Sequence, residues 1–99
     1  MLNITKKIEN KKALFALEGR LDTVTAPQLE KELGESTREL DELTLDFEKL
    51  DYISSAGLRL LLSAQKRMND RGEMKLTGVN ETIREIFEIT GFSEILTIE

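Results

Sequence analysis

Residues 43–62, LTLDFEKLDYISSAGLRLLL, lead from an alternating apolar stretch through two serines and a glycine into a leucine-rich stretch. The alternation of apolar and polar residues predicts a strand over residues 43–47. Residues 48–54 are predicted to form a loop whose apolar side chains return to the core. Residues 55–72 carry the strongest helical pattern of the chain, which ends at Gly72. The stretch therefore predicts a strand, a loop and a helix, which is the unit that α/β folds repeat.

Strands and helices are also predicted to alternate on both sides of this stretch. The predicted elements are a β-hairpin formed by residues 3–8 and 12–21, helices over residues 23–40 and 81–90, and strands over residues 73–79 and 94–98. Thr25, Pro27 and Gln28 are typical of a helix start with a capping box. Asn80 is predicted to cap the last helix, and Gly91 to end it.

The order of these elements predicts the fold. A chain of 99 residues fits one domain, so we predict a single domain over residues 1–99. The order β-β-α-β-α-β-α-β predicts an α/β fold with a mixed, mostly parallel β-sheet, a β-hairpin at the N-terminus and packed α-helices.

The composition of the chain narrows its chemistry. Because it has no cysteine and no histidine, Ser-His-Asp and Cys-His catalysis are impossible and the commonest metal ligand is absent. The net charge of −5 disfavours binding to nucleic acid or to an anionic membrane. No apolar run is long enough for a signal peptide or a membrane span, so we expect a cytoplasmic protein. We therefore predict a protein that is not an enzyme and that needs no cofactor or metal.

Ser54 and Ser55 begin different faces of the predicted helix over residues 55–72. Its polar face comprises Arg59, Ser63, Lys66 and Asp70. Extended back by one turn, this polar face reaches Ser55, whereas the face that carries Leu58 and Leu61 reaches Ser54. We therefore expect Ser55 to point to solvent and Ser54 to point toward the core.

Two interpretations of the serines follow from the residues alone. In the simpler one, both serines only cap the helix, since serine is a preferred N-cap residue. In the other, Ser55 is a phosphorylation site, because a helix N-terminus favours a phosphate and Arg59, one turn on, can pair with it. Gly57 is expected to leave the first turn open to the backbone of another protein.

Three segments of the chain resemble one known family. The stretch over residues 43–62 is similar to the core motif of the STAS-domain anti-sigma factor antagonists, also called anti-anti-sigma factors. Residues 17–33, LEGRLDTVTAPQLEKEL, are similar to the family's Gly-x-Leu-Asp-x-x-Thr-Ala segment. Residues 83–98, IREIFEITGFSEILTI, are similar to its closing helix, glycine turn and strand. The order and spacing of the three segments make the resemblance specific, and it covers nearly the whole chain.

The resemblance implies a phosphorylation switch. In the family, the unphosphorylated domain binds an anti-sigma factor that is also a serine kinase, and so frees the sigma factor. The kinase then phosphorylates one serine and the complex separates, and a serine phosphatase resets the domain. The position of the acceptor in the family corresponds to Ser55, and Asp22 and Thr23 are expected to lie close to it. The residues expected to contact the partner are Asp22, Thr23, Ser54, Ala56, Gly57, Leu58 and Arg59.

This chain departs from the family pattern at two positions. Many members have aspartate where this chain has Ser54, and a small residue where it has Arg59. These departures leave open which kinase recognises the site and whether Ser54 is also phosphorylated.

Other functions and roles stay open at this point. The domain can be a STAS interaction or scaffold module of a transport or signalling assembly that works without phosphorylation. It can also be an enzyme or a small-ligand binder on a similar α/β fold, because fold alone does not fix function. Asp22 can simply close a turn before the first helix, and Leu58 is expected to serve both the core and the contact surface.

Overall fold

The computed structural model describes residues 1–99, apart from the side chains of residues 36 and 37. The described chain forms one sheet of five strands, with helices between strands β2 and β5. The strands are β1 (Leu2–Glu9), β2 (Lys12–Leu21), β3 (Glu42–Ile53), β4 (Glu73–Thr77) and β5 (Thr97–Ile98). The helices are α1 (Ala26–Ser36), α2 (Ser55–Asn69) and α3 (Glu81–Thr90), with short 3-10 turns at Thr37–Glu39 and Phe92–Glu94.

The sheet has the strand order β1-β2-β3-β4-β5. Strand β1 pairs antiparallel with β2, and β2 to β5 pair parallel to one another. The tight turn between β1 and β2 places Asn10 at a φ of 58°, a left-handed conformation that asparagine tolerates better than most residues. The predicted mixed, mostly parallel sheet with an N-terminal hairpin is therefore confirmed.

The core lies between one face of the sheet and the helices. Alternate residues of the central strands, such as Phe15 and Leu45, are fully buried. The residues that directly precede these two, Leu14 and Thr44, point to the other face of the sheet and are more exposed. The helices cover the buried face with side chains such as Leu29. Burial of each large apolar side chain contributes about 1.5–3 kcal/mol, so this two-layer core is the main source of stability.

The predicted loop over residues 48–54 is wrong, because β3 continues through most of it to Ile53. This second half of β3 pairs with β2 across two register shifts, each of which adds one residue to β3. The shifts place Phe47, Leu50 and Ile53 in the core at intervals of three, which hides the alternation that marks a strand. Pairing with β4 has ended by then, and the amide Nδ2 of Asn80 donates to the Leu50 carbonyl oxygen at 3.0 Å instead.

Element ends also differ from the prediction. The predicted helix over residues 55–72 ends at Asn69. Gly72 lies beyond the helix, where its backbone packs close to that of Asp41, and a Cβ on Gly72 would collide with the Asp41 carbonyl oxygen. The predicted strand over residues 94–98 shrinks to Thr97–Ile98, because a 3-10 turn follows Gly91. The predicted caps of α3 are confirmed: Asn80 accepts from the Ile83 N–H at 2.9 Å, and Gly91 has a φ of 83°.

No helix in the described part of the chain is long and apolar enough to cross a membrane.

Candidate functional site

The candidate site lies where β2 and β3 end side by side. Leu21 is in register with Ile53, and the N–H of Ser54 donates to the Leu21 carbonyl oxygen at 2.9 Å. Because the strands are parallel, the loop over residues 22–25 and the start of α2 leave the sheet at the same edge. We call the exposed side chains of this loop and of the first two turns of α2 the Ser55 surface.

Ser54 and Ser55 occupy different environments. Ser54 is in the N-cap position of α2, but its hydroxyl accepts no hydrogen bond from the helix, and its Oγ is buried without a partner in the described structure. Ser55 is the first residue of α2 and is exposed. The predicted orientations of the two serines are confirmed, and neither side chain acts as a cap.

The start of α2 is chemically suited to an anion on Ser55. By helix geometry, the N–H groups of the first three residues have no partner within the helix, and the helix dipole places partial positive charge there. The Leu58 N–H makes the first intrahelical bond, to the Ser54 carbonyl oxygen at 2.9 Å. Arg59, one turn beyond Ser55, is exposed.

Gly57 is buried, so the expectation that it leaves the first turn open to another protein is wrong. A Cβ on Gly57 would lie 2.7 Å from Cγ1 of Ile53 and 2.9 Å from Cγ of Leu21. The missing side chain allows α2 to approach the ends of β2 and β3. Gly57 therefore supports the Ser55 surface from below, and Leu58 beside it is half-buried against the core.

Asp22 closes the loop that precedes α1. Its Oδ1 accepts hydrogen bonds from the N–H groups of Val24 and Thr25, both at 3.0 Å. The bond from the Thr25 N–H holds the pKa of Asp22 below its usual value, and the Val24 N–H and the charge of Arg20 lower the pKa further. The turn-closing role that the sequence left open for Asp22 is thus present, and it fixes the shape of the loop.

The predicted capping box at the start of α1 is wrong. The Thr25 hydroxyl donates to the Arg20 carbonyl oxygen at 2.8 Å and accepts from the Asp22 N–H at 2.9 Å. The Gln28 amide donates to the carbonyl oxygen of Leu2 at 3.2 Å, across the molecule. Pro27 does lie in the first turn of α1, as predicted. The Thr25 side chain therefore ties the loop to β2, and the Gln28 side chain ties α1 to β1.

Two exposed apolar side chains lie near the site, and the expectation that the apolar side chains of residues 48–54 return to the core is wrong for one of them, Tyr52. Val24, at the tip of the loop, is 84% exposed, and Tyr52, near the end of β3, is 40% exposed. The guanidinium carbon of Arg20 lies 4.3 Å from the centroid of the Tyr52 ring, a cation–π contact, and Arg20 Nε lies 3.7 Å from Asp22 Oδ2. The signal in the sequence was a lone valine among polar turn residues.

A shallow cavity of about 280 Å³ separates α1 from α2 beside Ser55. Thr23, Ala56, Arg59 and Ser63 are among the residues that line it. Arg59 makes no ion pair within 4.0 Å in the described chain. The structure therefore brings Thr23, Ala56 and Arg59 to one surface, whereas Gly57 and much of Leu58 lie beneath it.

No group of three or more carboxylate, cysteine or histidine side chains in the described residues is arranged to hold a metal ion.

The fold and site are those of a small α/β domain with an exposed serine at the start of a helix that follows a parallel strand. The STAS domain family matches residues 3–99, and the chain belongs to this family.

Curated relatives share the domain over most of their length. BtrV of Bordetella bronchiseptica, named as a candidate anti-sigma factor antagonist, is 39% identical over 87 residues, which are 86% of this chain and 75% of BtrV. The anti-sigma-B factor antagonist of Staphylococcus aureus is 29% identical over 99 residues, which are 98% of this chain and 92% of that protein.

Solved structures share the fold at lower identity. Unphosphorylated SpoIIAA, an anti-sigma factor antagonist, is 18% identical with a TM-score of 0.78 over 98% of this chain and 87% of that chain. SpoIIAA of Bacillus in the phosphorylated form is 18% identical with a TM-score of 0.77 over 98% of this chain and 91% of that chain.

Proposed function

We propose that this protein is an anti-sigma factor antagonist that is controlled by phosphorylation of Ser55. In its unphosphorylated form it binds an anti-sigma factor with serine kinase activity through the Ser55 surface, and the sigma factor is released. Phosphorylation of Ser55 ends this binding, and a serine phosphatase restores it. The names of the BtrV and Staphylococcus aureus relatives support the antagonist role.

The exposure of Ser55 is the observation that carries the choice of acceptor. A kinase must reach the hydroxyl, and Ser55 is exposed at the first position of α2 while the Ser54 Oγ is buried. Around Ser55, the loop that Asp22 holds in shape presents Val24, and α2 presents Arg59. These groups offer a partner both an apolar and a charged contact beside the acceptor.

A phosphate on Ser55 is expected to act on the partner interface and to leave the fold intact. It adds about −1.5 to −2 charge at a helix N-terminus, where negative charge is favourable, and Arg59 one turn on can pair with it. A partner surface that fits the bare hydroxyl would then meet a bulky, strongly hydrated anion. The complex with the partner is therefore destabilised by steric exclusion, by charge repulsion and by the cost of removing water from the phosphate.

The protein acts by binding and not by catalysis under this proposal, and it works in the cytoplasm beside its kinase. Its partners are proteins, and neither nucleic acid nor a membrane takes part. The kinase transfers the terminal phosphoryl group of a nucleoside triphosphate to Ser55 Oγ, which loses its proton as the nucleoside diphosphate leaves. The phosphatase adds water to the resulting ester and releases inorganic phosphate and the free hydroxyl.

The test uses tagged proteins as baits in cells of the source organism. Wild type and Ser55→Ala are expected to capture a kinase-like partner, and Ser55→Asp is expected to lose it. Ser63→Asp is the matched control, since Ser63 is also exposed on α2, two turns beyond Ser55. This control should keep the partner, because its added charge lies away from the start of the helix.

Equal capture of one partner by all four baits would contradict the switch. The domain would then be a constitutive interaction module whose Ser55 only begins a helix. Loss of the partner with Ser63→Asp as well as Ser55→Asp would show that any added charge on α2 disrupts binding, and would also contradict a specific role for Ser55.

A further inference from the structure

A basic groove lies between α1 and the C-terminal end of α2, away from the Ser55 surface. Four cationic residues line it, namely Lys31, Arg38, Arg67 and Arg71. The groove has a volume of about 960 Å³. Arg67 follows Ser55 by twelve residues on α2, which corresponds to about 18 Å along the helix axis. This clustering of cations stands out in a chain with a net charge of −5.

The cations of the groove are not neutralised by ion pairs. Elsewhere in the described chain, Lys6 pairs with Glu32 at 2.5 Å, and Lys75 pairs with Glu42 at 3.4 Å. Lys31, Arg38, Arg67 and Arg71 have no such partner within 4.0 Å in the described structure. The carboxylates of Glu35 and Asp70 also line the groove, yet in the part of the chain that is described neither lies within that distance of a cation. The groove therefore keeps positive charge available.

Arg67 gives a second, independent sign of a ligand. Its Nε and Nη2 atoms are buried and have no hydrogen-bonding partner among the described groups of the protein. Burying donors of a charged group without partners is costly, so an acceptor that enters the groove would remove a penalty as well as form new bonds. A Cβ on Gly34 would lie 3.9 Å from Nη1 of Arg67, so the glycine leaves space beside the guanidinium.

One neighbouring arginine of the groove, Arg71, is held in place by the backbone. The Arg71 guanidinium donates to the carbonyl oxygen of Arg38, which links the end of α2 to the turn after α1. The groove is thus lined from two sides of the fold, by α1 with its following turn and by the end of α2. Such an arrangement presents several donors to one concave space.

We propose that this basic groove binds a small anion with more than one phosphate group. Arginine guanidinium groups form paired, charge-assisted hydrogen bonds with phosphate oxygens, and a di- or triphosphate can reach Arg67 together with the outer cations. A small ligand fits better than a large polyanion, because the site is concave and the whole chain is acidic. The inference does not depend on the proposed phosphorylation of Ser55.

The test follows the amide and arginine Nε–H signals of the full chain by NMR during separate additions of orthophosphate, pyrophosphate and tripolyphosphate. Sodium chloride at equal ionic strength serves as the salt control. Saturable shifts confined to residues 31–38 and 67–71, with tighter binding of tripolyphosphate than of orthophosphate, are the expected result. Shifts that grow linearly without saturation, or that sodium chloride reproduces, would overturn the proposal.

Substitution of Arg67 separates a ligand-binding role from a structural one. The variant Arg67→Met keeps much of the side-chain length without the charge, and it should weaken pyrophosphate binding at least about tenfold. It should also unfold at the same or a higher urea concentration than wild type, because it removes buried donors without partners. Lys31→Gln, an exposed change, should weaken binding by a smaller factor, and Arg84→Gln on α3 should leave binding unchanged.

A destabilised Arg67→Met protein would show that Arg67 is a structural residue and would overturn the proposal. Unchanged affinity in both Arg67→Met and Lys31→Gln would do the same. The bait experiment measures capture of the protein partner by the Ser55 surface, and Arg67→Met should leave this capture unchanged. Failure of one proposal can therefore be distinguished from failure of the other.

Discussion

Gly57 ties the start of α2 to the core, and its replacement by alanine is expected to destabilise the protein. The added Cβ would lie 2.7 Å from Cγ1 of Ile53, 2.9 Å from Cγ of Leu21 and 3.1 Å from the Leu21 carbonyl oxygen. The two side chains can shift by a few tenths of an ångström. The carbonyl oxygen cannot follow easily, because it accepts the Ser54 N–H.

The expected magnitude follows from two opposed effects. Overpacking of a core costs about 1–3 kcal/mol, and three close contacts place this site in the upper half of that range. Alanine in place of glycine within a helix returns about 1 kcal/mol. The free energy of unfolding of Gly57→Ala should therefore fall by about 1–2 kcal/mol. For a domain of this size each kcal/mol lowers Tm by about 4–8 °C.

Gly34→Ala in α1 is the matched control. Among the described residues, a Cβ on Gly34 meets only Arg67 Nη1 at 3.9 Å, an ordinary contact, so the helical gain of about 1 kcal/mol should appear in full. Urea unfolding followed by circular dichroism measures both variants, with unchanged m-values as the check on a common mechanism. If Gly57→Ala were as stable as wild type, the close packing of the start of α2 against Leu21 and Ile53 would be refuted.

Three further predictions concern the Ser55 surface. Ser54→Ala should change the free energy of unfolding by less than about 0.5 kcal/mol, because its hydroxyl makes no cap bond; a loss of about 1 kcal/mol in urea unfolding would restore the cap interpretation. Ser55→Asp should keep the far-UV circular dichroism of wild type and unfold at the same or a slightly higher urea concentration, and a lost helical signal would contradict a switch that acts only at the interface. Asp22→Ala should be less stable than wild type at neutral pH. Because folding lowers the pKa of Asp22, its contribution is complete above the ordinary value of 3.8 and disappears as the pH falls through the lower folded pKa. The difference between the two proteins should therefore shrink in urea titrations below pH 3.8, and a constant difference would exclude the carboxylate as its source.

The fold was largely predictable because most of the elements keep a regular pattern. The alternation over residues 43–47 and the leucines of α2 report burial directly, and Asn80 and Gly91 mark the ends of α3 by their local chemistry. The second half of β3 was missed because its two register shifts depend on the pairing with β2, which no local pattern reveals.

The candidate site was predictable in position and less so in detail. The helical phase placed Ser55 outward and Ser54 inward, since both positions follow from one helix. The burial of Gly57 and the wrong capping box both depend on contacts with distant residues, namely Ile53 and Leu21 for the glycine and Leu2 for Gln28. Residues that serve tertiary contacts in this way carry no periodic signal.

The most direct test of the central claim is to locate the phosphate on protein isolated from its own cells. Cleavage after Lys49 and Arg59 releases residues 50–59, LDYISSAGLR, which carry Ser54 and Ser55 on one peptide. Fragmentation of this peptide by mass spectrometry distinguishes the two serines, and Ser55→Ala is the control. Phosphate on Ser55 is expected in wild type, and an unmodified peptide is expected in the variant. Phosphate on Ser54, or an unmodified wild-type peptide under every growth condition, would contradict the claim.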